Sequence, residues 1–158
     1  MNTPTPGGEV AAALGELLVR SSRARLHRAL TEGLGADIDE ATYPVLSGLA
    51  RLGPRTAAAL ACDIGLDRSV ISRHATRLER AGLLSRSADP SDARATLLTL
   101  TDAGNTTVEH MRTRLADHLD RYFADWPEPQ AQAFAHALRR FVDQGLSFEE
   151  SPADGARS

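Results

Sequence analysis

Apolar side chains recur every three or four residues along most of the chain, a period typical of amphipathic helices. The predicted helices cover about residues 9–30, 40–52, 56–64, 67–81, 101–125 and 131–144. Two shorter stretches, 83–88 and 95–100, are strand candidates joined by a turn that contains Asp89 and Pro90. The order of helix, turn, helix and hairpin over residues 56–100 predicts a winged helix.

Residues 67–81 separate into an apolar side and a basic side when they are drawn as a helix. Ile71, Ala75 and Leu78 lie on the apolar side with His74, which we therefore expect to be packed or partly shielded. The opposite side carries arginines and small hydroxyl residues and no carboxylate: Ser69, Arg73, Thr76 and Arg80, flanked by Ser72 and Arg77. Guanidinium groups bind guanine edges and phosphates, so this pattern suits a helix in a DNA major groove. A solvated face of an ordinary amphipathic helix would have the same pattern.

The neighbouring segments favour the DNA-binding interpretation. Ala61, Gly65 and Ile71 have the relative spacing of a helix-turn-helix. In that motif a small residue lets the two helices touch, and glycine permits a positive φ in the turn. Asp67 and Gly82 are the expected N-cap and C-terminal stop of the second helix.

Three runs in the second half of the chain carry a specific resemblance. They are Arg77-Leu78-Glu79-Arg80-Ala81-Gly82-Leu83-Leu84, then Asp89-Pro90-Ser91-Asp92-Ala93-Arg94, then Leu98-Thr99-Leu100-Thr101 followed by Gly104. These runs resemble the MarR family of bacterial transcriptional regulators, and the resemblance extends over roughly residues 10–146. One position departs from the family pattern. The residue before the wing arginine is often basic and is Ala93 here, which would cost one phosphate contact per wing.

The resemblance implies a mainly α (α+β) fold, a winged helix-turn-helix with long N- and C-terminal dimerisation helices. Residues 9–146 would form a single domain, with its DNA-binding part at about 40–100 and dimerisation helices at about 9–35 and 101–146. Residues 1–8 and 147–158 carry little that can be buried, so we expect a disordered arm and a flexible tail.

The terminal helices have more apolar surface than the DNA-binding part can cover, so their stripes need a partner. In the resembled family these helices interleave between two chains, which implies a two-fold homodimer. Symmetry then places two recognition helices ~34 Å apart, about one DNA turn, and predicts a palindromic operator. A monomer whose terminal helices pack on its own winged domain remains the alternative.

The candidate DNA contacts divide by the part of DNA that each would reach. Base readout is expected from Arg68, Ser69, Ser72 and Arg73, and phosphate contacts from Thr76, Arg77 and Arg80. Arg94 at the wing tip is expected in the minor groove, with Asp92 orienting it. For Arg86, in a wing strand, a structural salt bridge and a phosphate contact are equally good predictions.

The charge distribution agrees with a local DNA-binding surface. The chain carries a formal net charge of −3, and its 18 basic residues are all arginines. The six arginines of residues 67–94 outnumber the four carboxylates there by two, so the rest of the chain carries −5. A basic patch on an acidic body favours a defined site over general binding to polyanions. No apolar run approaches the ~18 residues of a membrane-spanning helix and no signal sequence is evident, so we expect a cytoplasmic protein.

Other chemistry has little support in the sequence. The chain has no glycine-rich phosphate loop and no recognisable nucleophile with a base, so we expect no enzyme, cofactor or catalytic residue. The single cysteine, Cys62, excludes an intrachain disulfide and is expected to be a small buried core residue. No histidine pair has metal-ligand spacing, although His110, Asp117 and His118 share a helix face and could form a site with a dimer partner.

The sequence therefore predicts a transcriptional regulator, most simply a repressor, that binds a palindromic operator as a homodimer. The resemblance further implies release by a small aromatic or phenolic effector in the crevice between the dimerisation helices and the winged domain. Arg20, His27 and Tyr43 could reach that crevice. Two alternatives remain open: a metal- or thiol-responsive regulator of the same fold, and a winged-helix protein-interaction module without DNA readout.

Overall fold

The computed structural model describes residues 5–90 and 92–145, and the chain divides into two compact units, Met1–Ala116 and Asp117–Ser158. The helices of the first unit are α1 (Pro6–Leu18), α2 (Arg20–Thr31), α3 (Tyr43–Leu52), α4 (Ala57–Ile64) and α5 (Arg68–Arg80). Its strands are β1 (Arg55–Thr56), β2 (Leu84–Asp89) and β3 (Asp92–Leu100). Helix α6 (Asp102–Phe123) begins in this unit and ends in the second, which also holds α7 (Glu128–Arg140) and a π-helical turn at Phe141–Gly145.

The predicted fold class is confirmed. The chain is mainly helical, with a helix-turn-helix at α4 and α5 followed by a β-hairpin at β2 and β3. This arrangement is the winged helix-turn-helix that the hydrophobic pattern predicts. Within the described part of the chain, no helix is both long enough and apolar enough to cross a membrane.

The predicted continuous first helix is wrong, because the chain leaves helical geometry at Val19. The Val19 backbone has φ −59° and ψ 134°, and its carbonyl accepts hydrogen bonds from the amides of Ser22 and Arg23 to start α2. Valine and serine have weaker helix propensity than the leucines and alanines of α1. The apolar stripe that predicted one continuous helix is therefore divided between two helices, α1 and α2.

The first helix also begins earlier than predicted, at Pro6. The hydroxyl oxygen of Thr5 accepts a hydrogen bond from the Gly8 amide at 3.2 Å and caps α1. Residues 5–8 are therefore a helix start and not a loose arm. The rest of the predicted arm, residues 1–4, and the predicted tail, residues 147–158, lie outside the described residues.

Strand β3 is the centre of a three-stranded antiparallel sheet with the order β1-β3-β2. In the hairpin, Leu84 pairs with Leu100 and Arg86 pairs with Leu98. Strand β3 begins at Asp92, so the hairpin extends nearer to its tip than the predicted strands. Strand β1 adds to the other edge of β3 and connects the sheet to the start of α4.

The core of the first unit lies where α3, α4, α5 and the sheet meet. Its most buried members are Val45, Leu46, Leu60, Ile71, Ala75 and Leu78, with Leu84, Leu98, Val108 and Met111 around them. The predicted buried side of α5 is confirmed by Ile71, Ala75 and Leu78. Burial of a large apolar side chain stabilises a fold by about 1.5–3 kcal/mol. Helix α5 is therefore held firmly by its inner side, and its outer side is left to solvent.

The turn between α4 and α5 follows the predicted chemistry. The Thr56 hydroxyl accepts from the Ala59 amide at 3.2 Å and caps α4, while Gly65 takes φ 67° and ψ 42° at its end. Glycine adopts this left-handed geometry without strain, so it can end one helix and start the turn. Asp67 occupies the predicted N-cap position of α5, but its side chain makes no capping hydrogen bond.

The two ends of the wing hairpin meet at a joint formed by Gly82, Leu83, Thr101 and Gly104, which we call the hairpin joint. The Leu83 carbonyl accepts from the Thr101 amide at 3.1 Å, and the Thr101 hydroxyl donates to the Gly82 carbonyl at 2.7 Å. The same hydroxyl oxygen accepts from the Gly104 amide at 3.1 Å and so caps α6. One threonine therefore fixes the end of α5, both ends of the hairpin and the start of α6.

In the second unit, aromatic rings pack around the turn between α6 and α7. The ring centroids of Phe123 and Trp126 are 5.1 Å apart in a T-shaped arrangement, and those of Phe123 and Phe134 are 5.6 Å apart. Helix α7 begins at Glu128, earlier than predicted, with Pro129 in its first turn. Proline suits the first turn because its missing amide proton would have no partner there.

We expect Gly104→Ala to destabilise the first unit. A β-carbon at this position would overlap the Leu83 carbonyl oxygen and lie 3.2 Å from Cδ2 of Leu100. The carbonyl is a backbone atom already bonded to Thr101, so it cannot turn away. The free energy of unfolding, measured by chemical denaturation, should fall by roughly 1–3 kcal/mol.

Gly7→Ala, in α1, is the matched control, because no atom lies within 4 Å of its new β-carbon. This variant should keep its stability or gain up to about 1 kcal/mol from better helix propensity. A Gly104→Ala protein that unfolds at the wild-type denaturant concentration would show that the hairpin joint tolerates a side chain.

Candidate nucleic-acid interface

Burial of one side of α5 leaves its opposite side on the surface. Arg68, Ser69, Arg73 and Arg80 are exposed, and Ser72 is half-buried at their edge. Within the described residues, the three guanidinium groups form no hydrogen bond or ion pair with the protein. Each of them therefore keeps its donors for an external acceptor.

The wing tip presents a fourth exposed arginine, Arg94. Its backbone amide donates to Oδ1 of Asp92 at 2.9 Å, so Asp92 fixes the backbone from which the Arg94 side chain extends. A cavity of about 400 Å³ opens between the wing and the helix-turn-helix, and Arg68, Ser72, Arg86 and Arg94 are among its lining residues. The structure thus brings the wing arginine and the first residue of α5 to the same surface.

Arg77 lies on the same helix but has partners within the chain. Its Nη1 is 2.8 Å from Oδ2 of Asp39, its Nε is 3.4 Å from Oδ1 of Asp37, and its Nη2 donates to the Ala36 carbonyl at 3.1 Å. These bonds use three of the five guanidinium N–H donors, so the predicted phosphate contact of Arg77 stays a prediction and would use the two donors that remain. Within the chain, Arg77 holds α5 against the segment before α3.

Thr76 and Arg86 bond to each other across α5 and the wing. Arg86 Nη2 donates to Oγ1 of Thr76 at 2.9 Å, and Arg86 Nε lies 3.0 Å from Oε2 of Glu79. The Thr76 hydroxyl donates to the Ser72 carbonyl at 3.0 Å, so its proton is used within the helix. Of the two predictions for Arg86, the salt bridge is the one that the structure contains.

A crevice of about 670 Å³ lies between α2, the start of α3 and α5; we call it the inner crevice. Its lining includes Arg20, Arg23 and His27 of α2, Glu40, and Arg73 and His74 of α5. The third predicted effector residue, Tyr43, stacks on His27 with ring centroids 4.3 Å apart. It lines an adjoining cavity of about 380 Å³ that shares Arg23 and His27 with the inner crevice. The three predicted residues therefore line two neighbouring cavities, of which the inner crevice includes residues of α5.

The environment of the inner crevice lowers the pKa of both its histidines. For His27 the main cause is partial burial, with a further lowering by Arg23 that Glu40 opposes. For His74, which is half-buried as predicted, burial is again the main cause, and Arg73 and Arg77 lower the pKa further. Burial and positive neighbours both disfavour a charged imidazole, so the neutral form of each ring is favoured.

The acidic segment, residues 37–40, connects α2 to α5. Nε of Arg28 on α2 lies 2.6 Å from Oε2 of Glu40, while Asp39 holds Arg77 of α5. No role for these carboxylates was predicted from the sequence. Their clustering was visible, but the contact with Arg77 spans 40 residues and has no periodic signature.

The Asp39 carboxylate is the most heavily bonded group of the acidic segment. It accepts from the amides of Ala41 and Thr42 at 2.9 and 3.0 Å, besides its ion pair with Arg77. Partial burial alone would raise the pKa of Asp39, but Arg77 and the two amides outweigh burial, so the net shift is downward. A charged Asp39 therefore belongs to the folded state.

Cys62 is exposed, so its predicted burial is wrong. The inner side of α4 is occupied by the buried Leu60 and Ala61, and the next residue along the helix turns away from the core. Within the described residues, no group of three or more histidine, cysteine or acidic side chains is arranged to hold a metal ion.

Known proteins are similar to this chain in the region that holds the exposed arginines of α5 and the wing. Residues 38–96 match the family model described as MarR family. An uncharacterized HTH-type transcriptional regulator of Bacillus subtilis (strain 168), YxaD, is 29% identical over 111 residues, which cover 68% of this chain and 78% of that protein. The matched family region contains the helix-turn-helix and most of the wing.

Solved structures show the same fold. Wild-type MarR from E. coli in its apo form has a TM-score of 0.69 at 20% identity, covering 89% of this chain and 99% of that one. RV1404 from Mycobacterium tuberculosis has a TM-score of 0.66 at 22% identity, covering 93% and 99%. At these identities the likeness is one of fold alone. The chain thus has the winged-helix fold of these structures, and its residues 38–96, which contain the helix-turn-helix and most of the wing, are similar to the MarR family.

Proposed function

We propose that this protein is a transcriptional regulator that binds a palindromic double-stranded DNA operator as a homodimer and represses transcription until a small effector binds. The strongest support comes from four exposed arginines on α5 and the wing whose side chains have no partner among the described residues: Arg68, Arg73, Arg80 and Arg94. Four such groups on an acidic chain suit a polyanion of defined shape.

Each exposed group on this surface then has a role in DNA binding. Arg68, Ser69 and Arg73, with Ser72 beside them, lie in the first half of α5, the half that enters the major groove in helix-turn-helix proteins. Arg80, at the end of the helix, suits a phosphate, which contributes affinity without sequence information. Arg94 suits a narrow minor groove, where negative potential is concentrated.

Exposed apolar side chains support the homodimer. Helix α1 has no buried residue, and Val10, Leu17 and Leu18 are about half exposed or more. The second unit likewise exposes Leu119, Tyr122, Phe134, Leu138 and Val142. Two chains related by a two-fold axis would cover these surfaces and present two copies of α5 to successive turns of DNA.

The inner crevice supports regulation by a small molecule. Its three arginines outnumber its carboxylates, and the stacked rings of His27 and Tyr43 offer a flat apolar surface beside them. This combination suits an aromatic anion. Because Arg73 and His74 belong to α5, an occupant would touch the recognition helix directly and could favour one of its positions over another.

Selection from a random pool of double-stranded DNA with the purified protein tests the proposed function. We expect a palindrome with half-sites about ten base pairs apart, and an affinity that falls steeply with salt because bound arginines release counterions. No enriched sequence, or an affinity independent of salt, would contradict DNA readout. In that case the basic surface would fit an acidic protein partner instead.

Arg94→Ala should weaken binding to the selected operator by ~1–3 kcal/mol, because it removes the predicted minor-groove contact while leaving the fold intact. Fluorescence anisotropy of a labelled operator measures the change. Arg140→Ala, which removes an exposed arginine of α7, is the control and should bind as the wild type does. An Arg94→Ala protein with wild-type affinity would exclude the wing from the interface.

The lowered pKa of His27 and His74 predicts a loss of stability in mild acid. A folded pKa below the unfolded value of about 6.5 means that the unfolded chain binds more protons between the two values. The contribution to stability is therefore present above about pH 6.5 and is lost as the pH falls through the folded pKa. Thermal melting across this range should show a decline that is smaller in a His27→Gln, His74→Gln double variant.

His136→Gln, on the exposed surface of α7, controls for the removal of a histidine outside the inner crevice. This variant should keep the pH dependence of the wild type. An equal decline in the double variant and the wild type would show that the two crevice histidines do not carry the effect.

A further inference from the structure

The wing loses its apolar contact with the rest of the protein soon after it begins. Leu84 is buried, but residues 85–88 of β2 are all exposed. Side chains alternate between the two faces of a strand, so Arg86 lies on the same face as Leu84. Beyond Leu84, Arg86 is therefore the residue of β2 that continues towards α5, and polar bonds replace core packing there.

The Arg86 guanidinium bridges two successive turns of α5. It donates to the Thr76 hydroxyl at 2.9 Å and lies 3.0 Å from the Glu79 carboxylate. The two bonds use different nitrogens, Nη2 and Nε, so they fix the direction of the planar group as well as its distance. The side chain is about one third exposed, so the pair adds little to overall stability.

We propose that Arg86 is a positioning residue that sets the angle of the wing against α5. This inference rests on the proposed DNA-binding function. By holding β2 to Thr76 and Glu79, Arg86 fixes the separation between Arg94 at the wing tip and Arg68 at the start of α5. These two groups would reach different grooves of the same operator, so their separation has to match the DNA.

Glu79 supports this assignment. A carboxylate on a DNA-facing helix repels phosphates, so it weakens binding unless it has another role. Here it binds Arg86 and holds that arginine back from DNA. If Glu79 were only a surface carboxylate, Glu79→Gln would strengthen operator binding. The positioning role predicts weaker operator binding, although the variant carries one negative charge fewer.

A double-mutant cycle separates positioning from a direct phosphate contact. If Arg86 acts by placing Arg94, its loss matters only while Arg94 is present. Arg86→Gln should weaken operator binding roughly tenfold in the wild-type background and leave the affinity nearly unchanged in the Arg94→Ala background. Arg86→Lys, which can keep the ion pair but not both bonds, should fall between. Equal losses in the two backgrounds would overturn the proposal.

Arg80→Gln is the matched control for the cycle. Arg80 is exposed near the end of the same helix and has no partner among the described residues. As an independent phosphate contact, it should cost the same affinity in both backgrounds and lower the salt slope by about 0.9. In the Arg94→Ala background, Arg86→Gln should leave the salt slope unchanged. If Arg86→Gln lowered the salt slope in that background by about 0.9, as Arg80→Gln should, Arg86 itself would contact a phosphate.

Amide hydrogen exchange of the free protein tests, without DNA, whether Arg86 holds the wing against α5. Amides of the β2–β3 hairpin beyond Leu84 should exchange several-fold faster in both Arg86→Gln and Glu79→Gln, and at the wild-type rate in Arg80→Gln. Unchanged hairpin exchange in the first two variants would overturn the proposal, whatever the DNA result. Faster exchange in a protein that selects no operator would instead refute the proposed function and keep Arg86 as the residue that holds the wing.

Discussion

The geometry of the winged helix depends most on the hydroxyl of Thr101. It donates to the Gly82 carbonyl and accepts from the Gly104 amide, while the Thr101 backbone amide binds the Leu83 carbonyl. Helix α5, the wing and α6 therefore begin or end at residues of one hydrogen-bonded cluster. Gly104 is required there because no side chain fits against the Leu83 carbonyl. The hairpin joint fixes where the wing leaves the core, and the proposed role of Arg86 is to set the angle of the wing against α5 farther out.

Two groups of arginines in the first unit have different consequences. Arg28, Arg55, Arg77 and Arg86 have carboxylate partners within the chain and stabilise the relative placement of helices and strands. Arg68, Arg73, Arg80 and Arg94 have none within the described residues and remain available for an external anion. Exposed ion pairs contribute little stability, so the first group matters for geometry more than for folding energy. The net charge of the chain does not show which arginines are paired and which are available.

The sequence predicted the fold well, because helix periodicity and glycine positions are local signals. Gly65 and Gly82 end their helices at positive φ as expected, and the inner side of α5 is the predicted one. The break at Val19 was missed, since both halves of the apolar stripe keep the same period. For the candidate site, the sequence indicated which residue types are present, and the structure shows which of them have partners within the chain. Arg77 and Arg80 look alike in the sequence, and only the distant acidic segment distinguishes them.

The position of the acidic segment bears on how a small molecule in the inner crevice would act on α5, the proposed recognition helix. Glu40 lines the inner crevice and holds Arg28 of α2, and the neighbouring Asp39 holds Arg77 of α5. A ligand that draws Arg73 or His74 towards the crevice would act on α5 itself, so no long pathway through the core is required. It can shift the helix only by the difference in its affinity for the two positions. The Arg77 ion pairs oppose such a shift. The stronger they are, the larger the difference in ligand affinity between the two positions of α5 has to be.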